Sequence, residues 1–339
     1  MLLVRNNCTD PFRNMATEEV LLRRLREPAV MLWRNEPAVI IGKNQDARAE
    51  VDFAFAQAHG IRVVRRLTGG GAVFHDLGNV NYTFIVPDGT TLSFSSFAAP
   101  VLDALGSLGI VAAASGRNDL VADCGGEMRK FSGTAACVYR RQDGSTARMH
   151  HGTLLFSADF SALAGVLTPD RDKLASKGIA STRARVVNLQ TLLSGDPPMD
   201  VTAFQAMLET HFLRLGAVGR DLSAEEHAEI DALTREKYET DAWLFGKFGA
   251  DDLRAKQRFP YGTVAVALAE APNSADIPVI ARLSFSGDFF GEADPTELEA
   301  ALLGTPRQTD ALIPKLADVS RYLAGASPEE IAALLCAAT

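Results

Sequence analysis

Apolar residues recur at helical or strand spacing along most of the chain, and polar or glycine-rich breaks separate these segments. Spacings of three and four residues predict helices, whereas alternating or continuous β-branched runs predict strands. The predicted helices cover 14–26, 52–59, 97–108, 159–167, 201–215, 223–238, 295–303, 310–323 and 328–337. The predicted strands cover 29–33, 38–41, 61–64, 72–74, 80–86, 120–123, 128–139, 148–157, 262–269 and 279–286. The pattern contains no internal repeat and no low-complexity tract.

The most unusual segment is the glycine run between the strands predicted at 61–64 and 72–74. Arg65 and Arg66 precede three consecutive glycines, Gly69, Gly70 and Gly71. Glycine loses the most backbone entropy on ordering, so such a run indicates positive φ or a close approach to another group. Glycine amides can cradle an anion, and arginine supplies forked donors for phosphate or carboxylate. An ordinary loop or bulge is the alternative, because the run matches neither a Walker A loop nor a dinucleotide fingerprint.

Length and composition predict a globular protein of two domains. The chain has 339 residues, of which 47% are hydrophobic and 22% are charged. That length exceeds the usual size of one domain. The aromatic and glycine-containing stretch at 239–249 has the composition of a packed linker. We therefore expect domains at 1–245 and 246–339.

The net charge limits the classes of binding partner, and the cysteines indicate the cellular compartment. The formal net charge is −8, which argues against a nucleic-acid partner, and the arginines form local clusters that suit a small anionic ligand. No apolar run reaches the length of a membrane span, and we expect neither a signal peptide nor a membrane partner. The cysteines Cys8, Cys124, Cys137 and Cys336 are scattered, so a reducing cytoplasm is expected.

Three positions offer candidate chemistry outside the glycine run. Lys130 lies on a predicted strand, and its side chain points either into a pocket or, as most lysines do, into solvent. Asn118 and Asp119 form a polar loop suited to a ribose, an amine or Mg²⁺, or simply an Asn-Asp turn. The neighbours His75 and Asp76 face opposite sides of a strand, so His75 is expected to line a pocket rather than act as a base.

Several segments, taken in order, resemble the lipoate–protein ligase A family. They are 65–79, 116–120, 129–133, 150–155, 173–179 and 185–189, with shorter pieces at 33–35, 41–45 and 286–290. The resemblance implies an α+β fold, with a biotin/lipoate ligase-like catalytic domain whose mixed β-sheet is flanked by helices. It also implies a small α/β C-terminal accessory domain.

The same resemblance implies an ATP-dependent ligase that works in two steps. Lipoate and ATP would give lipoyl-adenylate, and the lipoyl group would pass to a lysine of an acceptor protein. The implied cofactors are ATP and Mg²⁺. The implied acceptors are apo lipoyl domains of 2-oxoacid dehydrogenase complexes and the glycine cleavage H protein.

The resemblance also assigns candidate site residues. Lys130 is the implied catalytic residue. The implied nucleotide- and substrate-binding residues are Arg66, Gly69, Gly70, Gly71, Ala72, Val73, Phe74, His75, Asn79, Asn118, Asp119 and Lys130. No metal ligand set is implied, although Asp119 is a candidate for Mg²⁺. Trp33 and Val73 are candidate walls for the lipoyl tail, and 165–185 is expected to fold over the adenylate.

Three other functions remain as alternatives at this point. An octanoyltransferase shares the scaffold but needs a nucleophilic cysteine, which would have to be Cys124 or Cys137. A biotin ligase is a more distant possibility. A regulatory DNA-binding relative is disfavoured by the negative charge and by a catalytic pattern that begins near residue 1.

Overall fold

The computed structural model describes residues 1–87, 94–116, 118–159, 165–167, 186–196, 198–246 and 253–339. The strands are β1 (Leu2–Arg5), β2 (Ala29–Trp33), β3 (Ala38–Ile41), β4 (Arg62–Arg65), β5 (Val73–His75), β6 (Asn79–Pro87), β7 (Ala112–Ser115), β8 (Asp119–Asp123), β9 (Met128–Arg140), β10 (Thr146–Leu155), β11 (Val218–Arg220), β12 (Leu253–Phe259), β13 (Gly262–Pro272) and β14 (Pro278–Gly287). The α-helices are α1 (Pro11–Arg24), α2 (Ala47–Glu50), α3 (Phe53–Ala58), α4 (Phe94–Gly106), α5 (Val201–Arg214), α6 (Ala224–Leu233), α7 (Asp241–Phe245), α8 (Pro295–Leu302), α9 (Thr309–Leu312) and α10 (Pro328–Cys336).

Contacts divide the chain into two units, and the first consists of Met1–Ile40, Glu50–Val64 and Val73–Thr240. Its main sheet has eight strands in the order β11-β1-β2-β6-β10-β9-β8-β7. Strand β1 is parallel to β2 and β11, and the remaining pairs described in this sheet are antiparallel. A smaller sheet has the order β4-β3-β5.

Alternation along β6 explains how the main sheet is covered on both faces. Val80, Tyr82 and Phe84 alternate with Asn79, Asn81 and Thr83, and all six side chains are buried. The apolar set packs in a core with residues of α4 and α5. The polar set faces the opposite side, where Thr83 donates to Glu18 of α1. One face of the sheet is thus an apolar core and the other is a buried polar surface.

The second unit contains Ile41–Ala49, Arg65–Ala72 and Asp241–Thr339. Its antiparallel sheet has the order β12-β13-β14. One face of that sheet packs on α8, α9 and α10 through a core that includes Val264, Leu283, Leu302 and Ile331. Because this unit also takes two early segments of the chain, the boundary at 245/246 stays a prediction.

The mixed strand and helix content confirms the predicted α+β class, but some predicted elements differ. The single helix predicted at 310–323 is wrong: α9 is followed by 3₁₀ turns at Ile313–Leu316 and Val319–Arg321. Pro314 lacks the N–H that a continuing α-helix requires. The helix predicted at 223–238 ends as a π-helical turn, Thr234–Tyr238.

Four strands were not predicted from the sequence, namely β1, β7, β11 and β12. Each lies at an edge of its sheet or one strand from it, and β1, β7 and β11 have only three or four residues. Such short segments carry little periodicity. Most of the helix predicted at 159–167 and of the covering segment predicted at 165–185 lies outside the described residues. No helix in the described ranges is long and apolar enough to cross a membrane.

Candidate functional site

The fold of the second unit explains two of the three consecutive glycines. Gly70 has φ +89°, and a Cβ there would lie 2.9 Å from the Phe290 ring. A Cβ on Gly69 would lie 2.5 Å from the carbonyl oxygen of Phe289. The amide of Gly70 also donates to that carbonyl, at 3.4 Å. The Phe289 backbone therefore excludes a side chain at position 69, and the positive φ and the Phe290 ring favour glycine at position 70.

Gly71 has no comparable structural requirement. Its φ is not in the left-handed region, and the nearest atom to an added Cβ is the Asp288 Cβ at 4.0 Å. A side chain would fit here without steric conflict. The packing of the described residues therefore does not account for the absence of a side chain at Gly71.

The two adjacent arginines both hold backbone. Arg65 is buried and donates to the carbonyl oxygens of Gly42, Lys43 and Gln45 at 2.6–3.0 Å, and also to those of Trp243 and Leu244. Burial lowers the pKa of Arg65 to about 10. Its donors are committed to backbone, so its predicted share in anion binding is not supported.

Arg66 shapes the glycine run from within. It is buried, and it donates to the Thr68 hydroxyl at 2.8 Å, to the Gly69 carbonyl at 2.6 Å and to the Gly71 carbonyl at 2.9 Å. A guanidinium that bonds to both ends of the run fixes its curvature and brings a positive charge beneath it. Arg66 thus holds the glycine run in its observed conformation. Ala72, which follows the run, is half-buried.

In the first unit, Lys130 lies on the β8–β9 hairpin beside Asp119. The Lys130 Nζ is 2.7 Å from Asp119 Oδ1, and both side chains are a little under 40% exposed. Asp119 pairs with Gly133, and the register shifts between Leu120 and Val121. The shift and the missing side chain of Gly133 allow the lysine to lie over that glycine, 3.4 Å from where a Cβ would be. The side chain is therefore ordered on a partly exposed hairpin, between the two orientations considered from sequence.

The other predicted residues of the first unit lie on neighbouring strands. Asn118 Nδ2 donates to the Thr134 carbonyl at 2.9 Å, which anchors the loop before β8. Asn79 is fully buried on β6. Val73 and Phe74 are half-buried on β5, and His75 is buried with its Nδ1 3.1 Å from Asn35 Nδ2. That His75 lines a pocket stays a prediction.

A buried series of hydrogen-bonded side chains on the polar face of the main sheet was not predicted from the sequence. Trp33 Nε1 donates to Thr83 Oγ1 at 2.8 Å, and Thr83 donates to Glu18 Oε1 at 2.6 Å. The His151 Nδ1 lies 2.8 Å from the same carboxylate oxygen. The available signal was the polar alternation along β6, which is unusual for a central strand. This series holds Trp33, a predicted wall of the lipoyl slot, in one orientation.

A cysteine nucleophile finds little support among the described residues. The four cysteines form no disulfide, and burial raises the pKa of Cys124, which disfavours the thiolate that a nucleophile needs. Within the described ranges no group of three or more His, Cys, Asp or Glu side chains could hold a metal ion. The cysteine-dependent octanoyltransferase is therefore the weaker alternative.

Comparison with known families agrees with this arrangement. Residues 10–213 match the lipoyl protein ligase A/B catalytic domain, and residues 251–335 match the bacterial lipoate protein ligase C-terminus. The chain belongs to the lipoate–protein ligase family. Lipoate–protein ligase 1 of Staphylococcus aureus is 34% identical over 322 residues, which are 94% of this chain and 93% of the relative.

Solved structures of the family share the fold. One is a bipartite lipoate protein ligase from Thermoplasma acidophilum, described with its E2 lipoyl domain; it has 27% identity and a TM-score of 0.64, and covers 74% of this chain and 98% of that one. Another is a lipoate–protein ligase A bound with ATP, with 25% identity and a TM-score of 0.60, covering 72% of this chain and 98% of that one. This ligase family membership makes the protein an enzyme.

Proposed function

We propose that this protein attaches lipoate to lysine side chains at the expense of ATP, through a lipoyl-adenylate. In the first step a lipoate carboxylate oxygen attacks the α-phosphorus of ATP, a P–O bond forms, and pyrophosphate leaves. In the second step a lysine ε-amine attacks the lipoyl carbonyl carbon, an amide forms, and AMP leaves with the electron pair. The ATP-bound relative and the family assignment support this sequence.

The observation that carries the proposal is the ordered pair of Lys130 and Asp119. In the first step two anions must meet, and in both steps negative charge develops on the carbonyl and phosphate oxygens. An ammonium held at 2.7 Å from a carboxylate on a partly exposed hairpin is oriented before substrate arrives. Such preorganised positive charge stabilises the transition states of both steps. Lys130 is therefore proposed to contact the acyl carbonyl and the α-phosphate without forming a covalent bond.

The glycine run is proposed to bind phosphate and the nucleotide. Arg66 lies beneath it, and the backbone at Gly71 is open to a close approach. Positive charge together with unhindered amides offsets the repulsion between the reacting anions. By the family resemblance, Ala72, Val73 and Phe74 would continue the ATP contact, and Asn79, Asn118 and His75 would line the site.

Mg²⁺ is proposed to enter with ATP rather than to occupy a resident protein site. Mg²⁺ commonly binds through one or two carboxylates together with substrate phosphates. The described residues hold no larger ligand cluster, and Asp119 is the candidate carboxylate because one of its oxygens remains beyond the Lys130 contact. Bound there, the ion would screen the charge of the triphosphate.

The proposed acceptors are apo lipoyl domains of 2-oxoacid dehydrogenases and the glycine cleavage H protein. A related ligase is described together with an E2 lipoyl domain, which supports the first of these. The cytoplasm is the proposed location, because cysteines that form no disulfide suit a reducing compartment.

Intact-mass analysis tests the proposal. An apo lipoyl domain is incubated with the protein, lipoate, ATP and Mg²⁺, beside Lys130→Ala and Lys315→Ala variants. Lys315 is an exposed lysine that donates to the Ala301 carbonyl, so Lys315→Ala removes the same charge as Lys130→Ala and serves as the control. We expect a lipoyl mass increment that requires ATP and Lys130 but not Lys315. With an octanoyl carrier protein as acyl donor in place of lipoate, ATP-independent transfer that Cys124→Ala or Cys137→Ala abolishes would instead favour the octanoyltransferase.

A further inference from the structure

Two buried amides lie side by side on the polar face of β6. Asn79 and Asn81 are 0% and 1% exposed, and Asn79 Nδ2 donates to Asn81 Oδ1 at 2.8 Å. Asn79 Oδ1 and Asn81 Nδ2 have no hydrogen-bond partner among the described residues. Exchanging oxygen and nitrogen in both amides would still leave one NH₂ group and one oxygen over. With Asn79 as the donor the spare N–H groups belong to Asn81, whereas the exchanged arrangement would place them on Asn79.

The position of Asn81 relates this amide to the proposed acyl slot. Asn81 pairs with Trp33 on one neighbouring strand and with Thr153 on the other. Thr153 Oγ1 accepts from the Gly133 amide at 3.2 Å, and Gly133 pairs with Asp119. The order across the sheet is thus Asp119, Gly133, Thr153, Asn81 and Trp33.

This cross-strand row leads from the surface into the interior. Its outer end carries the partly exposed Lys130–Asp119 pair, and its inner end is formed by Asn81 and Trp33, which are 1% and 2% exposed. Two inter-strand spacings separate Gly133 from Asn81, which is about 10 Å. An extended eight-carbon acyl chain has about that length. With its carbonyl at Lys130, its far end would lie beside Asn81, in front of Trp33.

We infer that Asn81 is a specificity-determining residue whose unpaired amide N–H selects an acyl group with a hydrogen-bond acceptor at its far end. The inference rests on the proposed function. The dithiolane sulfurs of lipoate are weak acceptors, whereas octanoate has only methylene and methyl groups there. A buried donor left unpaired by one substrate and paired by another discriminates between them. Lipoate is therefore the preferred acid.

Substitutions at Asn81 test this inference. N81D has nearly the same shape and keeps an acceptor for Asn79, but it lacks the amide donor; N81L removes donor and acceptor together. H150F is the matched control, because His150 is buried on the opposite face of the same sheet. The measurement is kcat/KM for ATP-dependent attachment of lipoate and of octanoate to an apo lipoyl domain, with thermal melts to confirm folding.

We expect the lipoate-to-octanoate ratio of kcat/KM to fall about tenfold in N81D and N81L, mainly through a higher KM for lipoate. H150F should keep the wild-type ratio. An unchanged ratio in a folded variant, or equal use of both acids by the wild type, overturns the inference and leaves the ligase function intact. Attachment of neither acid by the wild type overturns the proposed function itself. If N81L does not fold, the ratio of kcat/KM measured with N81D alone tests the inference.

Discussion

At the scale of single residues, His150 is an ionisable group placed in an apolar core. Its ring stacks on Phe97 with centroids 4.7 Å apart, and Tyr82 and Phe94 lie nearby. Neither ring nitrogen has a hydrogen-bond partner among the described residues. Burial lowers the pKa of His150 to about 3, and the neighbouring His151 adds to the effect. The folded state therefore holds this imidazole neutral at a cost in stability.

His150→Phe is expected to stabilise the protein by about 1–2 kcal/mol, because it keeps the stacked ring and removes two buried polar atoms. The gain should grow in acid. The unfolded chain takes up a proton near pH 6.5, while the folded chain stays neutral until about pH 3. The wild type thus loses up to about 1.4 kcal/mol per pH unit from this group as the pH falls. Melts at several pH values measure this, and parallel curves for both proteins would contradict it.

At the scale of elements, the glycine run combines two different requirements. Gly69 is needed because the Phe289 backbone packs against it, and Gly70 because its φ is positive and the Phe290 ring lies close. Gly71 meets no such neighbour, so its requirement lies outside the described fold. The packing requirement is thus confined to the first two of the three consecutive glycines.

Gly69→Ala and Gly71→Ala form a matched pair that separates these requirements. Gly69→Ala should lower the free energy of unfolding by about 2 kcal/mol or more, because its Cβ would meet a backbone carbonyl. Gly71→Ala should change that free energy by less than about 0.5 kcal/mol, yet raise the KM for ATP by about tenfold. Denaturant titration and steady-state kinetics give the two quantities. A normal KM for ATP in Gly71→Ala would exclude close nucleotide approach at this residue.

At the scale of the whole molecule, the second unit is assembled from distant parts of the chain. Lys43 pairs with Asp294 at 2.7 Å, and this contact is the main favourable influence that lowers the Asp294 pKa to about 2 against the effect of burial. The Gly287 amide donates to the Asn44 carbonyl at 2.8 Å, and Arg65 binds the carbonyls of α7. Segments 41–49 and 65–72 thus depend on residues more than 170 positions later.

Removal of residues 246–339 keeps α7 but takes away the contacts made by Gly287, Phe289 and Asp294, so it is expected to expose these two segments. Limited proteolysis followed by mass spectrometry should show faster cleavage within 41–49 and 65–72 in the 1–245 fragment than in the full chain. Cleavage within α3, which belongs to the first unit, should stay similar and serves as the internal control. Equal protection of the two segments in both proteins would show that they hold their structure without the later residues.

The sequence alone determined the features that depend on neighbours within a few residues. The capping box at Ser223 is present as the spacing of Ser223 and Glu226 indicated, and the β8–β9 hairpin follows from two apolar runs around glycines. The family resemblance supplied the α+β class and the candidate residues. These signals are local, or carried by motifs, and so can be read along the chain.

Only the tertiary structure decided what the same residue types do. Arg65 and Arg66 are neighbours in sequence, yet one binds the backbone of Gly42, Lys43 and Gln45 while the other bonds within the glycine run. Glu18 lies within the helix predicted at 14–26, and only the folded structure shows that its carboxylate is buried against Thr83. Each role depends on partners that are distant in sequence, and burial makes those partners obligatory. Local patterns do not specify such pairings, because they arise only when the chain is folded.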